Sequence, residues 1–272
     1  MRTGFPFLDD GGPVLAFAHR GGARHPELAG LENTLAAFAH AVALGYRYLE
    51  TDVHVTRDGV LVAFHDALLD RVTDGSGHLE DLDAEALSAL LVGPGEHVPT
   101  LAGLVAAFPG ARFNIDLKSE GAVQPLAAFI EEHGLHDRIL VGSFSGRRLR
   151  RFRRLAGPRV ATSASPAEVA AYVALPAGLA RRLTRSPARG GPAALQVPHR
   201  QGNLDVASPR LLRRARAAGL HVHVWTVDDP EEMRLLLDRG VDGLMTDRTD
   251  ILRAVLQRRG MWQAPGPERS SG

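Results

Sequence analysis

The chain has 272 residues, 44% of them hydrophobic, and a formal net charge of +1. That length suits one large α/β domain or two small ones; nothing in the balanced charge argues for a general nucleic-acid or membrane partner, and the absence of cysteine excludes disulfides and thiolate metal sites. Met1 to Pro13 lacks the apolar core of a secretory signal and no apolar run approaches the ~20 residues of a membrane span, so no integral membrane segment and a cytoplasmic location are expected.

The first strand signal is Val14–His19, which closes on His19-Arg20-Gly21. A helix follows over Asn33–Leu44, with N-cap signals in Glu32-Asn33-Thr34 and a stop at Gly45. Tyr46–His54 reads as the second strand and ends in Glu50-Thr51-Asp52-Val53-His54. Val60–His65 reads as an extra strand returning through the Arg57-Asp58-Gly59 turn, ahead of His65-Asp66. Residues 66–98 break the repeat and are expected to form an insertion capping one side of a site, with a small helix at Ala84–Leu91. Strands are expected at Arg112–Lys118, Ile139–Ser143, Val160–Ser163, Ala194–Pro198, His221–Thr226 and Gly243–Thr246. Helices are expected at Leu101–Phe108, Ala122–His133, Gly146–Leu155, Pro166–Val173, Pro209–Ala218, Pro230–Arg239 and Thr249–Gln257, with Pro209 and Pro230 in first turns. Tyr172–Pro187 mixes apolar residues with Arg181, Arg182 and Arg185 and suggests a lid or a weak lipid contact. Residues 1–258 are expected to be one domain and 259–272, rich in Pro, Gly and Ser, a disordered tail.

Eight strands, nearly all followed by a helix, predict an α/β fold: a (β/α)8 TIM barrel with a small insertion after strand two. A doubly wound open sheet is the alternative, weakened because no glycine-rich phosphate loop follows the first strand. Active sites of such barrels sit at the C-terminal strand ends. Here those ends carry His19-Arg20, Glu50/Asp52/His54, Asp116/Lys118, Ser143, Thr162/Ser163, Gln196/His199, Trp225 and Thr246-Asp247.

Charged groups at strand ends point to chemistry, because burying them without purpose costs several kcal/mol each. Side chains alternate along a strand, so Glu50, Asp52 and His54 share a face. Two carboxylates that close repel unless a cation separates them, and oxygen ligands favour Mg²⁺ or Ca²⁺. A solvated acidic edge is the other reading. Asp116 and Lys118 also share a face, as a third metal ligand and a phosphate-binding cation or as an internal salt bridge. Imidazole as a group titrates near neutral pH, so the residue type at positions His19 and His65 suits an acid/base pair. Arg20 can hold a phosphate through two parallel hydrogen bonds, or simply pair with Asp66 or Glu50. Trp225 suits either an apolar wall for substrate or the core. The arginine run Arg147–Arg154 reads as a solvated helix face, with an anionic membrane surface as the other possibility.

Taken together, His19-Arg20-Gly21, Glu32-Asn33-Thr34, Glu50-Thr51-Asp52-Val53, Thr56-Arg57-Asp58-Gly59, His65-Asp66, Arg71-Val72-Thr73, Pro99-Thr100-Leu101, Asn114-Ile115-Asp116-Leu117-Lys118, Val224-Trp225-Thr226 and Asp242–Asp247 resemble the glycerophosphodiester phosphodiesterase family. The resemblance runs in order from about residue 14 to 257. It implies a divalent cation on Glu50, Asp52 and Asp116, an acid/base pair of His19 and His65, and Arg20 and Lys118 on the phosphate. The family more often has glutamate where this chain has Asp116, one methylene shorter. The implied substrate is a small glycerophosphodiester, cleaved to sn-glycerol 3-phosphate and an alcohol. A lysophospholipase D or phosphatidylinositol phospholipase C on the same barrel is the enzymatic alternative, and a silent phosphometabolite-binding barrel the non-enzymatic one. For the lipid alternatives, Tyr172–Leu183 is the expected seat of an acyl chain.

Overall fold

In the computed structural model, which describes residues 3–9, 12–186 and 190–263, eight parallel strands of the described residues form the wall of a barrel. Strand one is Leu15–His19, two Tyr48–Val55, three Arg112–Leu117, four Ile139–Gly142, five Ala161–Thr162, six Ala194–Pro198, seven His221–Trp225 and eight Gly243–Thr246. Hydrogen bonds link them in the order five, four, three, two, one, eight, seven, six. The seam between five and six closes through a Ser163–Ala194 bridge, with the Ala193 N–H donating to the Thr162 carbonyl at 2.8 Å. This is the (β/α)8 barrel expected from the strand–helix alternation.

Strand two shows why these sequences make wall strands. Seven of its eight residues are buried, because helices cover one face and the lumen the other. Leu49 and Val53 join the apolar layer beneath the helices, which also holds Phe38, Leu104, Phe113 and Leu126. Tyr48 joins the lumen floor with Leu15, Phe17, Leu140 and Met245. A short helix, Pro6–Asp9, plugs that floor with Phe7 and Leu8, and the Tyr48 hydroxyl donates to the Phe7 carbonyl at 2.9 Å. Four residues carry no periodicity, so the plug was invisible in the sequence.

Above the floor lies a polar layer. Gln196 donates to Asn114 Oδ1 at 2.7 Å and lies 3.3 Å from His223 Nδ1. His223 is fully buried, 4.9 Å from the Phe17 ring, and burial holds its pKa well below the usual histidine value. The native imidazole therefore stays neutral where the unfolded one takes a proton, so stability falls as pH drops below about 6.5. In urea titrations, the wild type is expected to lose up to ~1.4 kcal/mol per pH unit more than His223→Gln between about pH 6 and 5. Parallel stability curves for the two proteins would refute this role for His223.

The helical layer follows the sequence signals with local shifts. The first barrel helix is Leu35–Ala43, two residues shorter at its start than expected, because Asn33 is left-handed (φ 58°) and Thr34 is the N-cap. Strand two runs past the barrel rim and pairs antiparallel with Leu61–Ala63, placing Val53 opposite Ala63. The insertion has its own small core of Val62, Phe64, Leu69, Leu79, Leu87, Val92 and Val98. Its helix is Ala84–Ser88, ending before Leu91 because Leu91–Val92 pairs with Glu96–His97.

The segment read as a lid belongs to the outer layer. Helices Pro166–Ala174 and Ala177–Thr184 pack on each other and on Pro209–Ala218. Tyr172 is a core residue, its hydroxyl 3.0 Å from Thr184 Oγ1. Pro187 lies outside the described residues. At the C-terminal end, Trp262 packs edge-on against Tyr46 at 5.0 Å, and the remainder of the expected tail, 264–272, lies outside the described residues. No helix among the described residues is long and apolar enough to cross a membrane.

Candidate active site

Parallel register brings the charged strand ends together. His19 pairs with Glu50, Glu50 with Asn114, and Asp52 with Asp116. Alternation turns Tyr48, Glu50 and Asp52 to one side, the tyrosine at the floor and the carboxylates toward the C-terminal rim. The loop after strand one is forced into an unusual path. Arg20 is left-handed (φ 51°), and a Cβ on Gly21 (φ 84°) would sit 2.7 Å from the Ala37 methyl. Such a non-glycine conformation costs of order 1 kcal/mol and persists where surroundings hold it. Here the Arg20 N–H donates to Glu50 Oε2 at 3.2 Å, and its guanidinium lies 3.2 Å from both Asp52 and Glu32.

Asp52 is the hub. It meets Lys118 Nζ at 3.0 Å and Arg20 Nε at 3.2 Å, and accepts from Asn33 Nδ2 at 3.1 Å. Burial pushes its carboxyl up, but Lys118 and Arg20 hold it below the usual aspartate range. Lys118 also meets Asp116 at 2.8 Å; burial opposes its charge, and the two carboxylates outweigh that and raise its pKa. Burial raises Asp116. Glu50, 5% exposed, is pushed up to about 7 by burial and by neighbouring Asp52. Lys118 bridges Asp52 and Asp116, so Glu50 is the carboxylate short of counter-charge, and the three do not bring one oxygen each within 4.8 Å of one another. Their oxygen-only chemistry is of the kind a hard divalent cation takes.

The two histidines reach the cavity from different supports. His19 Nδ1 bonds Asp247 Oδ1 at 2.6 Å, and its Nε2 lies 3.7 Å from Glu50. Burial opposes protonation of His19, but Glu50 and Asp247 outweigh it and raise the pKa. His65 is delivered by the hairpin: the Phe64 N–H donates to the Asp52 carbonyl at 3.0 Å, and His65 Nδ1 is bonded to Asp66. Arg71 clamps this corner through Asp66 and, with both terminal nitrogens, Glu32 at 2.6 and 2.7 Å. The Asp66 carboxyl sits at about 2, because Arg71 and His65 overcome the upward push of burial. His54 shares the face of Glu50 and Asp52 but lies beyond the rim, with Nε2 3.2 Å from the His65 carbonyl.

His19, Arg20, Glu50, Asp52, His65, Asp116, Lys118 and Trp225 all line one cavity of about 610 Å³. All eight residues singled out in the sequence converge there. The rest of the lining mixes apolar Phe144, Val169, Val197, Pro198 and Val206 with polar Gln196, Arg200 and Gln201. Trp225 meets Phe144 edge-on at 5.7 Å, and Phe144 is 63% exposed. None of the described residues 172–186 lines this cavity, so Tyr172–Leu183 supplies no acyl seat here. The sequence reading placed Asp247 at a strand end, took Glu32 and Asn33 as N-cap signals and quoted Arg71 as part of a motif, but gave none of the four a chemical role or a partner. Barrel closure, which seats strand eight beside strand one, is the signal that would have found Asp247.

The sequence profile of the Glycerophosphoryl diester phosphodiesterase family matches residues 19–251. A relative from Mycobacterium tuberculosis named probable glycerophosphodiester phosphodiesterase 2 is 43% identical over 262 residues, covering 94% of this chain and 95% of its own. The crystal structure of a glycerophosphodiester phosphodiesterase from Agrobacterium tumefaciens superposes with a TM-score of 0.73 at 24% identity, covering 89% of this chain and 99% of that one. A phosphodiesterase from Oleispira antarctica, solved in complex with the product sn-glycerol-3-phosphate, gives a TM-score of 0.71 at 24% identity, with 89% and 96% covered.

Proposed function

This chain belongs to the glycerophosphoryl diester phosphodiesterase family, and we propose that it hydrolyses small glycerophosphodiesters to sn-glycerol 3-phosphate and an alcohol in the cavity at the C-terminal rim. One observation carries the reading: two imidazoles, three carboxylates, a guanidinium and an ammonium meet at one opening. The product complex of the Oleispira antarctica enzyme, on the same fold, supports the choice of product.

Arg20 and Lys118 orient the phosphate through its non-bridging oxygens and favour the charge that develops on them, usually the largest catalytic term. One imidazole of the His19/His65 pair takes the proton of the attacking oxygen, water or the glycerol 2-hydroxyl. The other gives a proton to the departing alcohol oxygen. If the 2-hydroxyl attacks, its oxygen forms the new P–O bond as the bond to the alcohol breaks, and water then opens the cyclic phosphate. Asp247 and Asp66 fix the ring orientations. Trp225 and Phe144 give the alcohol an apolar wall. A divalent cation on Glu50, Asp52 and Asp116 would neutralise phosphate charge and acidify a hydroxyl.

Purified protein given glycerophosphocholine is expected to release sn-glycerol 3-phosphate with Mg²⁺ or Ca²⁺, and to stop with EDTA. Full turnover in EDTA would remove the metal from the reading; no product with any divalent ion would remove the substrate class. The apolar part of the lining favours lysophospholipids as the second substrate class, with the acyl chain along Val169 and Val206. A higher kcat/KM on lysophosphatidylcholine than on glycerophosphocholine would select that reading. A phosphatidylinositol phospholipase C would make no use of three converging carboxylates, so metal-independent cleavage would point there instead.

A further inference from the structure

The near-zero net charge hides a strong segregation. Residues 147–216 hold 16 of the chain's 32 basic residues and two of its 31 acidic ones, Glu168 and Asp205. This quarter of the chain nets +14, and the rest nets −13. The folded barrel gathers that sequence into successive outer helices: Gly146–Ala156, Pro166–Ala174, Ala177–Thr184 and Pro209–Ala218. Arg150, Arg154, Arg181, Arg182, Arg185 and Arg213 are exposed and have no ion-pair partner among the described residues. An ordinary solvated face would intersperse acids among them.

Apolar side chains stand among these cations. Leu179 is 46% and Leu183 65% exposed, four residues apart on one helix and so on one face, with Arg182 between them. Beside Leu183 runs a groove of about 410 Å³, lined by Arg150 and Arg185 together with Ser165, Thr184 and Ser186, and by Glu168, whose carboxylate is neutralised by Arg153 at 2.6 Å. Guanidinium and hydroxyl groups around a small opening match a phosphate ester. Protruding leucines beside arginines match the boundary where acyl chains meet headgroups, with the arginine stems lying along the apolar layer. A nucleic acid would satisfy the charges but leave Leu179 and Leu183 against a polar backbone.

We propose that the helix Ala177–Thr184 and its flanking groove dock this protein on the surface of a bilayer rich in anionic phospholipid. The patch is separate from the catalytic cavity, so docking and hydrolysis are independently testable.

Flotation with vesicles of phosphatidylglycerol and phosphatidylcholine, against phosphatidylcholine alone, reads the contact directly. The protein is expected to float with the anionic vesicles only, and to be released as salt rises. Arg181→Glu with Arg182→Glu is expected to weaken binding about tenfold or more. Leu179→Ser with Leu183→Ser is expected to weaken it about fivefold without changing the salt dependence. Both variants should keep wild-type circular dichroism and wild-type turnover of glycerophosphocholine without vesicles. Failure to float at low salt would overturn the proposal, as would wild-type flotation of the arginine variant. Wild-type flotation of the leucine variant, with equally tight binding to duplex DNA, would reduce the patch to a polyanion-binding surface and overturn it as well.

Discussion

His19→Asn and His65→Gln are each expected to lower kcat/KM on glycerophosphocholine by ~10²–10⁴-fold while the protein stays folded. The size follows from the role. Each ring moves one proton in the transition state, and neither amide can. The choice of substituent follows from the contacts. An asparagine at position 19 can still donate to Asp247, so the strand-eight tether is kept while the titratable nitrogen facing Glu50 is lost. A glutamine at 65 keeps a polar partner for Asp66, which Arg71 holds independently. Stability is therefore expected to change by less than about 1.5 kcal/mol in either variant. Asp247→Asn separates chemistry from positioning: it leaves both rings in place, loses less activity than His19→Asn, and alters the pH profile through the His19 ring it no longer holds charged. Turnover within tenfold of wild type in either histidine variant, with a divalent cation present, would remove that ring from the mechanism.

How much of this could be read from the chain depends on how far apart the interacting parts lie. The eight strands were legible to within two residues at each end, because each pairs an apolar run with a polar C-terminal end, and a barrel imposes that pattern on every strand. Glu50 and Asp52 were legible as a pair because alternation acts locally. Their partners were not. His19 and Asp247 are 228 residues apart, and only closure of the barrel makes them neighbours. Glu32 lies 39 residues from Arg71, joined by an insertion whose path depends on its own small core. Lys118 was read either as a phosphate-binding cation or as an internal salt bridge with Asp116; the salt bridge is present and extends to Asp52, a reach that spacing along one strand does not give. Tyr172–Pro187 looked like a lid because it mixes apolar residues with arginines, and the packing of Ala177–Thr184 on Pro209–Ala218 through Ala180 is a tertiary fact.

Glu50→Gln is expected to make the metal-free protein more stable and the protein supplied with a divalent cation far less active. The folded carboxyl is pushed from its ordinary 4.5 up to about 7, by burial first and by Asp52 second. For an acid whose folded pKa is raised, the unfolded chain sheds its proton first as pH rises. Ionisation then opposes folding progressively from about pH 4.5 and fully above about pH 7. Glutamine mimics the protonated acid and its carbonyl can still accept from the Arg20 N–H, so it escapes this cost. In EDTA at pH 8 the variant should gain about 1–3 kcal/mol over wild type, and the difference should vanish near pH 4. Millimolar Mg²⁺ should reverse the order, since a cation that binds the native carboxylates stabilises only the protein that keeps all three. Activity should fall ~10²–10³-fold, the usual scale for losing one group that stabilises developing charge. Thermal melts across pH, with and without Mg²⁺, measure both halves. Equal stability of the two proteins at pH 8 in EDTA would mean that Lys118 and Arg20 already neutralise Glu50. The physical case for a divalent cation at this rim would then be lost.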